Sequence, residues 1–560
     1  MTRILGLSTE VLIEIFSSVF FTDLLSCKRT CQTFFDVISN SIELNYQIEL
    51  QKSSMQNNPA CSLSLPSRLK MIKDRELAWA SFDFKFVTKV KVPSELFGVY
   101  DVSARVLLLG KESSNEAFEP DGIQSVRLPS SDDENVSIEW KNLDLGATIL
   151  DFRPSIEAHD LVACVVLVPD KEDPEIWNIN LVLRQYSDTS KNHCAALKPI
   201  IFICSALPHE EPPAVSIDIS GDNLAIDVLF LDDSSMEATN NLFVFNWKSG
   251  ESKTIHPTRA SNSGTIFLRE DILLQPNTVA GSLDIYRIPP STSDSTPSRI
   301  QRLISLGLPD LSMGYALSTL SCRGEPGVNP KPAKYTPSTR PYTNDPNVEI
   351  MRFAMEIVSV YDETKEDYFV MITHRQALLD FLDLEEERQR RESTSSGARI
   401  SWDIWGPRIS RWFEVDSFSS FFTMDSFGQR YVRLTNPEGE VEEGSPEPRN
   451  AIHIFDFNPF HVKFMEIHGS GVVAGKPNLV LHVVGGGAEG LRATTAESIC
   501  PGRGVFTRDI VGMLPYVELI SDGWPFSEYK GLMIDEERLI AIRTDINTFR
   551  IQSVDVIYFG

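Results

Sequence analysis

The first forty residues carry more large apolar side chains than one helix face can bury. On a helix at 100° per residue, the apolar positions of residues 11–21 cover an arc of about 200°. These positions are Val11, Leu12, Ile13, Ile15, Phe16, Val19 and Phe20. A helix that packs on a single neighbour needs a stripe of only about 100° or slightly more. The pattern therefore predicts a helix that contacts two neighbours.

Helical spacing continues through most of the first 82 residues. Ser8 or a neighbour is expected to cap the first helix, Thr22-Asp23 opens a second, and "CQTFFDVIS" continues as a third. A helical extension follows and breaks at Asn57-Asn58-Pro59, and "SRLKMIKDRELAWASF" predicts a connecting helix. We predict a three-helix domain over residues 1–50 and a helical linker over 51–90.

From about residue 91 the period of the apolar pattern changes from 3.6 to 2. An acidic turn followed by a strand recurs as "EAHDLVACVVLV", "SGDNLAIDVLFL", "REDILLQ" and "DEERLIAI". The starts of the first three strands, Leu161, Leu224 and Ile272, are spaced like propeller blades with insertions. We predict an α+β multidomain fold, in which an all-α N-terminal domain precedes an all-β, β-propeller-like body over residues 91–560. Long loops are expected at 289–298, 324–346, 385–400 and 436–450, and a helix over 375–393 runs into the third of them.

Charge is unevenly placed along the 560 residues. The net charge is −26, yet residues 1–90 hold ten basic and nine acidic side chains, so the acidic excess lies in the β body. Such a body repels phosphate backbones, and we expect no nucleic-acid partner.

The same sequence gives expectations about compartment. No apolar run approaches the ~20 residues of a membrane span, and Glu10 and Glu14 interrupt any signal-peptide core. Eight cysteines without a CxxC pair favour a reducing compartment. We expect a cytoplasmic or nuclear protein without a membrane partner.

The opening residues match a known pattern at its usual spacing. The matching positions are Leu7, Ser8, Glu10, Val11, Leu12, Ile15, Phe16, Asp23, Leu24, Cys27, Cys31, Phe34 and Ile38. This stretch resembles an F-box, with Ser8, Thr30 and Phe34 standing where Pro, Val and Trp are common. The alternative is a helical hairpin that only caps the β body.

The remainder resembles the F-box proteins expanded in mushroom-forming (basidiomycete) fungi. The resemblance rests on "DLVACVVLV", "FVFNWKSG", "SWDIWGPRISRWF", "FGQRYVRL", "IHIFDFNP" and "GLMIDEERLIAI". It implies a non-enzymatic substrate receptor. The matching F-box positions would bind a Skp-type adaptor and, through it, a cullin ubiquitin ligase, while the C-terminal domain binds a protein substrate that the sequence does not name. The open alternative is a structural or regulatory scaffold that delivers no substrate.

Other chemical motifs are weak. Gly485, Gly487 and Gly490 satisfy GxGxxG after a strand, which raises a nucleotide-binding enzyme as a further alternative. The early Pro501 and Gly502 leave no room for the helix that such a site needs, so we expect a glycine-rich loop. Cys27 and Cys31 lie one helical turn apart without further ligands, so we expect core residues and no metal or cofactor.

Surface features give three further hypotheses. Trp402, Trp405 and Trp412 are expected to be buried blade aromatics rather than a recognition surface. The glutamates at 438, 440, 442 and 443 suit a basic partner segment. Ser130, Ser131 and Ser393 lie in sequence contexts that phosphorylation could use.

Overall fold

The computed structural model describes most of the chain. The described residues are 4–96, 99–112, 120–130, 138–173, 176–207, 212–230, 239–253, 264–290, 300–325, 327–328, 340–362, 364–392, 397–416, 424–435, 451–468, 471–472, 479–484, 499–521, 529–544 and 550–560. The glycine motif 485–490, the loop 436–450, Ser131 and Ser393 lie outside them.

The N-terminal region is helical. A 3₁₀ turn (Ile4–Gly6) precedes α1 (Thr9–Ser17), α2 (Phe21–Lys28), α3 (Gln32–Asn40), α4 (Ile42–Lys52) and α5 (Leu65–Ala80). Ser8 is the extended N-cap residue of α1 without a side-chain capping bond, whereas the Ser41 hydroxyl accepts the Leu44 amide of α4 at 3.2 Å. The first four helices share one core, formed by Leu12, Phe16, Phe21, Leu24, Val37, Ile38, Leu44 and Ile48. The predicted all-α opening is confirmed, but four helices rather than the predicted three share this core, and α4 crosses the predicted boundary at residue 50.

Seven antiparallel sheets of at least four strands follow among the described residues, and we number them as blades 1 to 7. Blade 1 comprises β3 (Tyr100–Ser103), β4 (Val106–Glu112), β5 (Pro120–Arg127) and β6 (Trp140–Asp144). Blade 2 comprises β7 (Thr148–Ser155), β8 (Leu161–Pro169), β9 (Trp177–Gln185) and β10 (Ile200–Ala206). Blade 3 comprises β11 (Ala214–Ser220), β12 (Asn223–Phe230), β13 (Thr239–Asn246) and β14 (Glu251–Ser252). Blade 4 comprises β15 (Ile266–Arg269), β16 (Ile272–Asn277), β17 (Ser282–Arg287) and β18 (Gln301–Gly307), with β23 (Ala398–Ile400) added in parallel.

The later blades contain insertions. Blade 5 comprises β19 (Tyr315–Arg323), β21 (Ile350–Ser359), β22 (Glu366–His374) and β24 (Ser410–Val415). Blade 6 orders β25 (Ser426–Phe427), β26 (Arg430–Thr435), β27 (Ala451–Asp456), β32 (Tyr516–Ser521), β29 (Leu479–Val484) and β28 (Gly471–Val472). Blade 7 orders β33 (Tyr529–Ile534), β34 (Arg538–Thr544), β35 (Ile551–Tyr558) and the N-terminal strand β2 (Phe86–Leu96).

The remaining elements lie outside the blades. They are the pair β1 (Met55–Asn57) and β20 (Tyr342–Asn344), the pair β30 (Ile499–Cys500) and β31 (Ile510–Val511), and the helices α6 (Ile156–His159), α7 (Arg375–Glu392), α8 (Trp402–Ile409) and α9 (Pro459–His468).

The seven sheets form a closed ring. One apolar cluster fills each junction between consecutive blades, from blades 1 and 2 round to blades 6 and 7. A seventh cluster, with Val102 and Leu107 of blade 1 and Ile540 and Val554 of blade 7, closes the circle. This is a seven-bladed β-propeller, and the predicted fold class is confirmed. Because β2 pairs with β35, the two ends of the body meet in one sheet.

The sequence repeat corresponds to one structural position. The four predicted acidic-turn strands are β8, β12, β16 and β34, the second strands of blades 2, 3, 4 and 7. In the turn before β34, the Asp535 carboxylate accepts the Arg538 amide at 2.9 Å, which is the local bond that a short turn needs. Before β8, the Asp160 carboxylate instead accepts the amide of Ser187, which follows β9, at 2.7 Å. The acids at this repeated position therefore bind backbone N–H groups within one turn and between turns.

Two boundaries differ from expectation. The predicted boundary at residue 91 falls inside β2, because pairing with β35 extends the strand back to Phe86. The predicted loop over 385–400 is wrong over most of its length. Residues 385–392 continue α7, and 398–400 form β23. Ion pairs one helical turn apart, such as Arg388 with Glu385 and Glu392, support the last turns of α7.

The N-terminal helices attach to one face of the ring. We call this the proximal face; it carries the turns that join each innermost strand to the second strand, and the opposite face is distal. β1 pairs with β20. Along the chain, β20 is part of the connection from β19 to β21, which lies on the proximal face. No helix in the described part of the chain is long and apolar enough to span a membrane.

Candidate functional site

The N-terminal helices leave several large apolar side chains uncovered. Eight large apolar side chains between residues 4 and 42 are between 37 and 51% exposed: Ile4, Leu5, Val11, Ile15, Phe20, Leu25, Phe35 and Ile42. We call this set the apolar face. Within α1, Val11 and Ile15 point outward while Leu12 and Phe16 are buried. The helix thus packs on its own module with one side and offers the other to a second neighbour, as its sequence pattern predicts.

The thirteen predicted binding positions divide into three groups. Leu12, Phe16, Leu24 and Ile38 are buried in the helical core. Leu7, Cys27, Cys31 and Phe34 are half-buried, and Phe34 packs edge-on against Phe16 at 4.9 Å. Ser8, Glu10, Val11, Ile15 and Asp23 are exposed. The exposed residues of the third group can therefore contact a partner directly, whereas the buried residues of the first group support the surface from the helical core. The binding role of all thirteen remains a prediction.

Sequence reasoning did not select several members of the apolar face. Leu25 directly follows the buried Leu24 in α2, and Phe35 lies two residues before the buried Val37 in α3. Their apolar character alone does not separate outward from inward positions, because a short helix rotates by 100° per residue and its neighbours are unknown. The doubled Phe34-Phe35 was the available signal, since adjacent residues cannot both face one core.

Charges surround the apolar face. The pKa of Glu10 is lowered because its carboxylate accepts hydrogen bonds from its own backbone N–H and from the Ser8 hydroxyl. The Lys28 ammonium lies 5.2 Å from the centre of the Phe35 ring. The apolar face therefore carries both an anion and a cation at its border, which suits a protein partner with a polar rim.

A second set of contacts fixes the helices to the ring. The buried Arg75 of α5 donates from Nε and Nη2 to the Glu536 carbonyl at 3.0 and 2.6 Å. Trp79 stacks on Phe559 with 4.1 Å between ring centres, and the Arg430 guanidinium lies 4.9 Å from the Trp79 ring. These contacts join the linker helix to blades 6 and 7.

The α4 end of the module is fixed as well. The Tyr46 hydroxyl contacts the Pro341 carbonyl at 3.1 Å, and burial raises the pKa of Tyr46 to about 12. The Asn458 side chain donates to the Lys52 carbonyl at 2.9 Å, and Phe460 packs edge-on against Phe21 at 4.6 Å. The orientation of the apolar face relative to the ring is thus set by contacts at several separate points.

The proximal end of the ring axis contains a cavity of about 570 Å³. Arg153 of blade 2 lies on its wall and contacts Asp101 at 3.2 Å, Asp218 at 3.3 Å and also Glu325. Burial raises the pKa of Asp101 and of Asp218, and the neighbouring arginines oppose that effect. The charges of this set pair with each other across blades 1, 2, 3 and 5, and loss of one would leave the others buried without a counter-charge, so we assign them to the structure of the ring.

The three predicted blade tryptophans are buried, whereas Cys27 and Cys31 are half-buried and only Cys27 packs against the helical core. Trp402, Trp405 and Trp412 are buried in the core between blades 4 and 5, and Trp405 donates to the Gly307 carbonyl at 2.8 Å. In the described ranges, no group of three or more metal-binding side chains comes together.

Comparison with protein families identifies the N-terminal helices. The F-box domain model matches residues 4–45. The chain is therefore an N-terminal F-box followed by a large β-rich body. No curated protein sequence matches it.

Solved structures resemble the body only distantly. The WD40 domain of SCAP from fission yeast is 9% identical with a TM-score of 0.31, and the alignment covers 81% of this chain and 82% of that one. The WD40 domain of Toxoplasma gondii coronin is 7% identical with a TM-score of 0.32, and the alignment covers 85 and 87%. Drosophila Semaphorin 1b is 8% identical with a TM-score of 0.34 and the same coverage. The propeller assignment rests on the strand order and the seven junction cores.

Proposed function

We propose that this protein is the substrate-recognition subunit of an SCF-type ubiquitin ligase. The observation that carries the proposal is the apolar face, which lies within the residues that match the F-box model. A Skp-type adaptor that covers these side chains removes them from water, and a cullin joins through the adaptor. Burial of such a surface is the main favourable contribution to most protein–protein association.

In this proposal the three sequence divisions have separate tasks. Residues 1–50 bind the adaptor, 51–90 hold the F-box against the ring, and 91–560, with the start of β2 included, bind a protein substrate. The protein catalyses no reaction itself and raises the effective concentration of the substrate near the ubiquitin-conjugating enzyme. We propose a cytoplasmic or nuclear location and membership of the F-box proteins of mushroom-forming fungi.

The fixed attachment of the F-box supports this role. The contacts of Arg75, Trp79 and Tyr46 hold the adaptor-binding side and the ring in one orientation. A substrate bound to the ring is then held at a set position relative to the ligase, which lowers the entropic cost of bringing the reacting groups together.

The test is adaptor capture by the full chain. Val11→Lys combined with Ile15→Lys places two charges on the apolar face, and we expect loss of co-purification with a Skp-type adaptor. Truncating one central anchor costs about 2 kcal/mol, or roughly thirtyfold in affinity, and a buried charge costs more. Leu7 packs on the helical core, so Val11 is a cleaner position than Leu7 for this change.

Leu384→Lys is the matched control, because Leu384 is 67% exposed on α7 and far along the chain from the F-box. Unchanged adaptor capture by the double variant would contradict the proposal. If the adaptor binds but no captured protein gains ubiquitin in a reconstituted ligase, the scaffold role replaces the receptor role.

A further inference from the structure

A helix of the ring continues the exposed apolar surface of the F-box. Phe460, at the start of α9, packs edge-on against Phe21 at 4.6 Å, and its ring centre lies 6.5 Å from that of Phe20. Phe464 follows four residues later on the same helix and is 56% exposed, and Phe20 is 50% exposed. Residues four apart are neighbours on one side of a helix, with about 5–6 Å between their Cβ atoms. Phe460 therefore lies beside Phe20 of the apolar face and beside Phe464 of the ring.

Other contacts fix α9 in place. Val462 is buried, and Met465 packs against the same core between blades 6 and 7. Asn458 fixes the start of the helix, because its Oδ1 accepts the Phe460 amide at 2.9 Å while its Nδ2 donates to the Lys52 carbonyl at 2.9 Å. One side chain thus joins the start of α9 to the end of α4. The exposed side of α9 is therefore preorganised, which lowers the entropic cost of binding a partner there.

The position of Phe464 indicates which partner covers it. Phe20 belongs to the apolar face and lies within residues 4–45, which match the F-box model. A standard protein interface buries about 800 Å² on each partner, which for a round patch is roughly 30 Å across. The path from Phe20 to Phe464 crosses one intervening ring and is much shorter than that. A partner that covers Phe20 therefore reaches Phe464 as well, and phenylalanine is enriched in the cores of such interfaces.

We propose that the Skp-type adaptor contacts the ring as well as the F-box, with Phe464 of α9 as its anchor on the ring. This inference rests on the proposed function, because it names a second contact of the same partner. Phe464 lies outside the residues that match the F-box model, so the F-box pattern does not predict this contact. The adaptor then bridges the two parts of the chain, and its affinity depends on the position of α9 as well as on the F-box.

Adaptor binding by the full chain tests the proposal. We expect Phe464→Lys to raise the dissociation constant for a purified Skp-type adaptor at least about tenfold, because a charge replaces an apolar contact. Phe464→Met keeps an apolar side chain and should change the dissociation constant by less than about threefold. Glu466→Lys is the matched control, because Glu466 is exposed on the same helix and lies about 200° further around it. It should leave the dissociation constant unchanged.

Hydrogen exchange shows whether the contact is direct. The backbone amides of residues 459–468 should exchange more slowly when a saturating concentration of adaptor is added to the wild-type chain. With Phe464→Lys, this slowing should be lost at an adaptor concentration that still saturates the F-box. Circular dichroism of the free variant should match that of the wild type, because Phe464 is largely exposed. Exchange over 459–468 that is the same with and without the adaptor in the wild type overturns the proposal.

The outcomes separate this inference from the proposed function. If Phe464→Lys binds the adaptor as tightly as the wild type while Val11→Lys with Ile15→Lys loses it, the contact with the ring is excluded and adaptor binding by the F-box stands. A wild-type chain that does not bind the adaptor overturns both. If Phe464→Lys dissociates a dimer of this chain without changing the adaptor affinity, a second copy covers α9 and the proposal is wrong.

Discussion

At the scale of single residues, one arginine connects four of the seven blades. Arg153 belongs to blade 2. Its three carboxylate partners are Asp101 in blade 1, Asp218 in blade 3 and Glu325 just after β19 of blade 5. Removing one member of such a buried set leaves unpaired charges in an apolar setting. This loss costs more stability than replacing the whole set by apolar side chains. The ring thus depends on polar contacts at its axis as well as on its apolar junctions.

Asp227 gives a residue-scale prediction about pH. It is 1% exposed, its Oδ1 accepts the Gln275 amide at 2.8 Å, and burial raises its pKa to about 7. The unfolded pKa of aspartate is about 3.9, so between about pH 4 and 7 the native state keeps a proton that the unfolded state releases. Stability is therefore lost as pH rises through this window, by up to roughly 1.4 kcal/mol per unit of pKa difference. Asp227→Asn should remove this contribution. The free energy of unfolding of the variant, relative to that of the wild type, should therefore rise from pH 5 to pH 8.

Denaturant unfolding at the two pH values measures this difference. Asp173→Asn, at an exposed position, is the control and should show little change with pH relative to the wild type. If Asp227→Asn has no higher free energy of unfolding than the wild type at pH 8, Asp227 is ionised in the native state without loss of stability.

The sequence predicted which residue types would be buried better than it predicted their partners. The tryptophans at 402, 405 and 412 were expected in a core and lie in one. The set around Arg153 left no sequence signal, because its carboxylate partners lie between 52 and 172 residues from Arg153 along the chain. Outward apolar positions such as Phe35 were missed for a related reason: burial depends on neighbours that the local pattern does not contain.

At the scale of elements, the turns place two of the predicted long loops on different faces of the ring. Thr435 and Ala451, the paired ends of β26 and β27, lie on the distal face, because the turn between β25 and β26 is proximal. The loop 436–450 therefore starts and ends opposite the F-box, whereas β20, within the predicted loop 324–346, contacts the F-box side. The acidic loop 436–450 is therefore the one whose two ends lie on the face opposite the F-box.

Charge reversal of that loop is the element-scale prediction. Changing the glutamates at 438, 440, 442 and 443 to lysine turns an acidic segment basic, and we expect a different set of captured proteins with unchanged adaptor binding. The attraction acts over about a Debye length of 10 Å at 0.1 M salt, so the change should shrink at high salt. Affinity capture followed by mass spectrometry measures the two sets, and identical sets would show that this loop does not select the substrate.

Helices and second strands were predictable because their signals are local. The acidic turn before β8, β12, β16 and β34 is contained in a few residues, so the repeat was visible and was confirmed. The helix predicted over 375–393 is α7, and its i,i+4 ion pairs keep the polar end helical, so the overlapping loop predicted over 385–400 was wrong. The insertion of β32 between β27 and β29 joins distant segments, and no local pattern specifies it.

At the scale of the whole molecule, the ring depends on β2. A chain of residues 86–560 keeps the whole of β2 beside β35, and we expect it to unfold in a single cooperative transition. A chain of residues 97–560 lacks the outer strand of blade 7 and the buried Val90, so we expect loss of cooperative unfolding and aggregation through the exposed edge. Calorimetry of the two chains measures this difference, and equal transitions would show that blade 7 closes with three strands.

This closure has a consequence for how the protein is made. β2 ends at Leu96 and its partner β35 begins only at Ile551, so β2 is synthesised long before the strand with which it pairs. At about 5–20 residues per second, β2 waits for roughly half a minute or longer before blade 7 can be completed. The F-box precedes it in synthesis, and an adaptor could bind its helices on the nascent chain during this delay. Translation order would then load the receptor before its ring can hold a substrate.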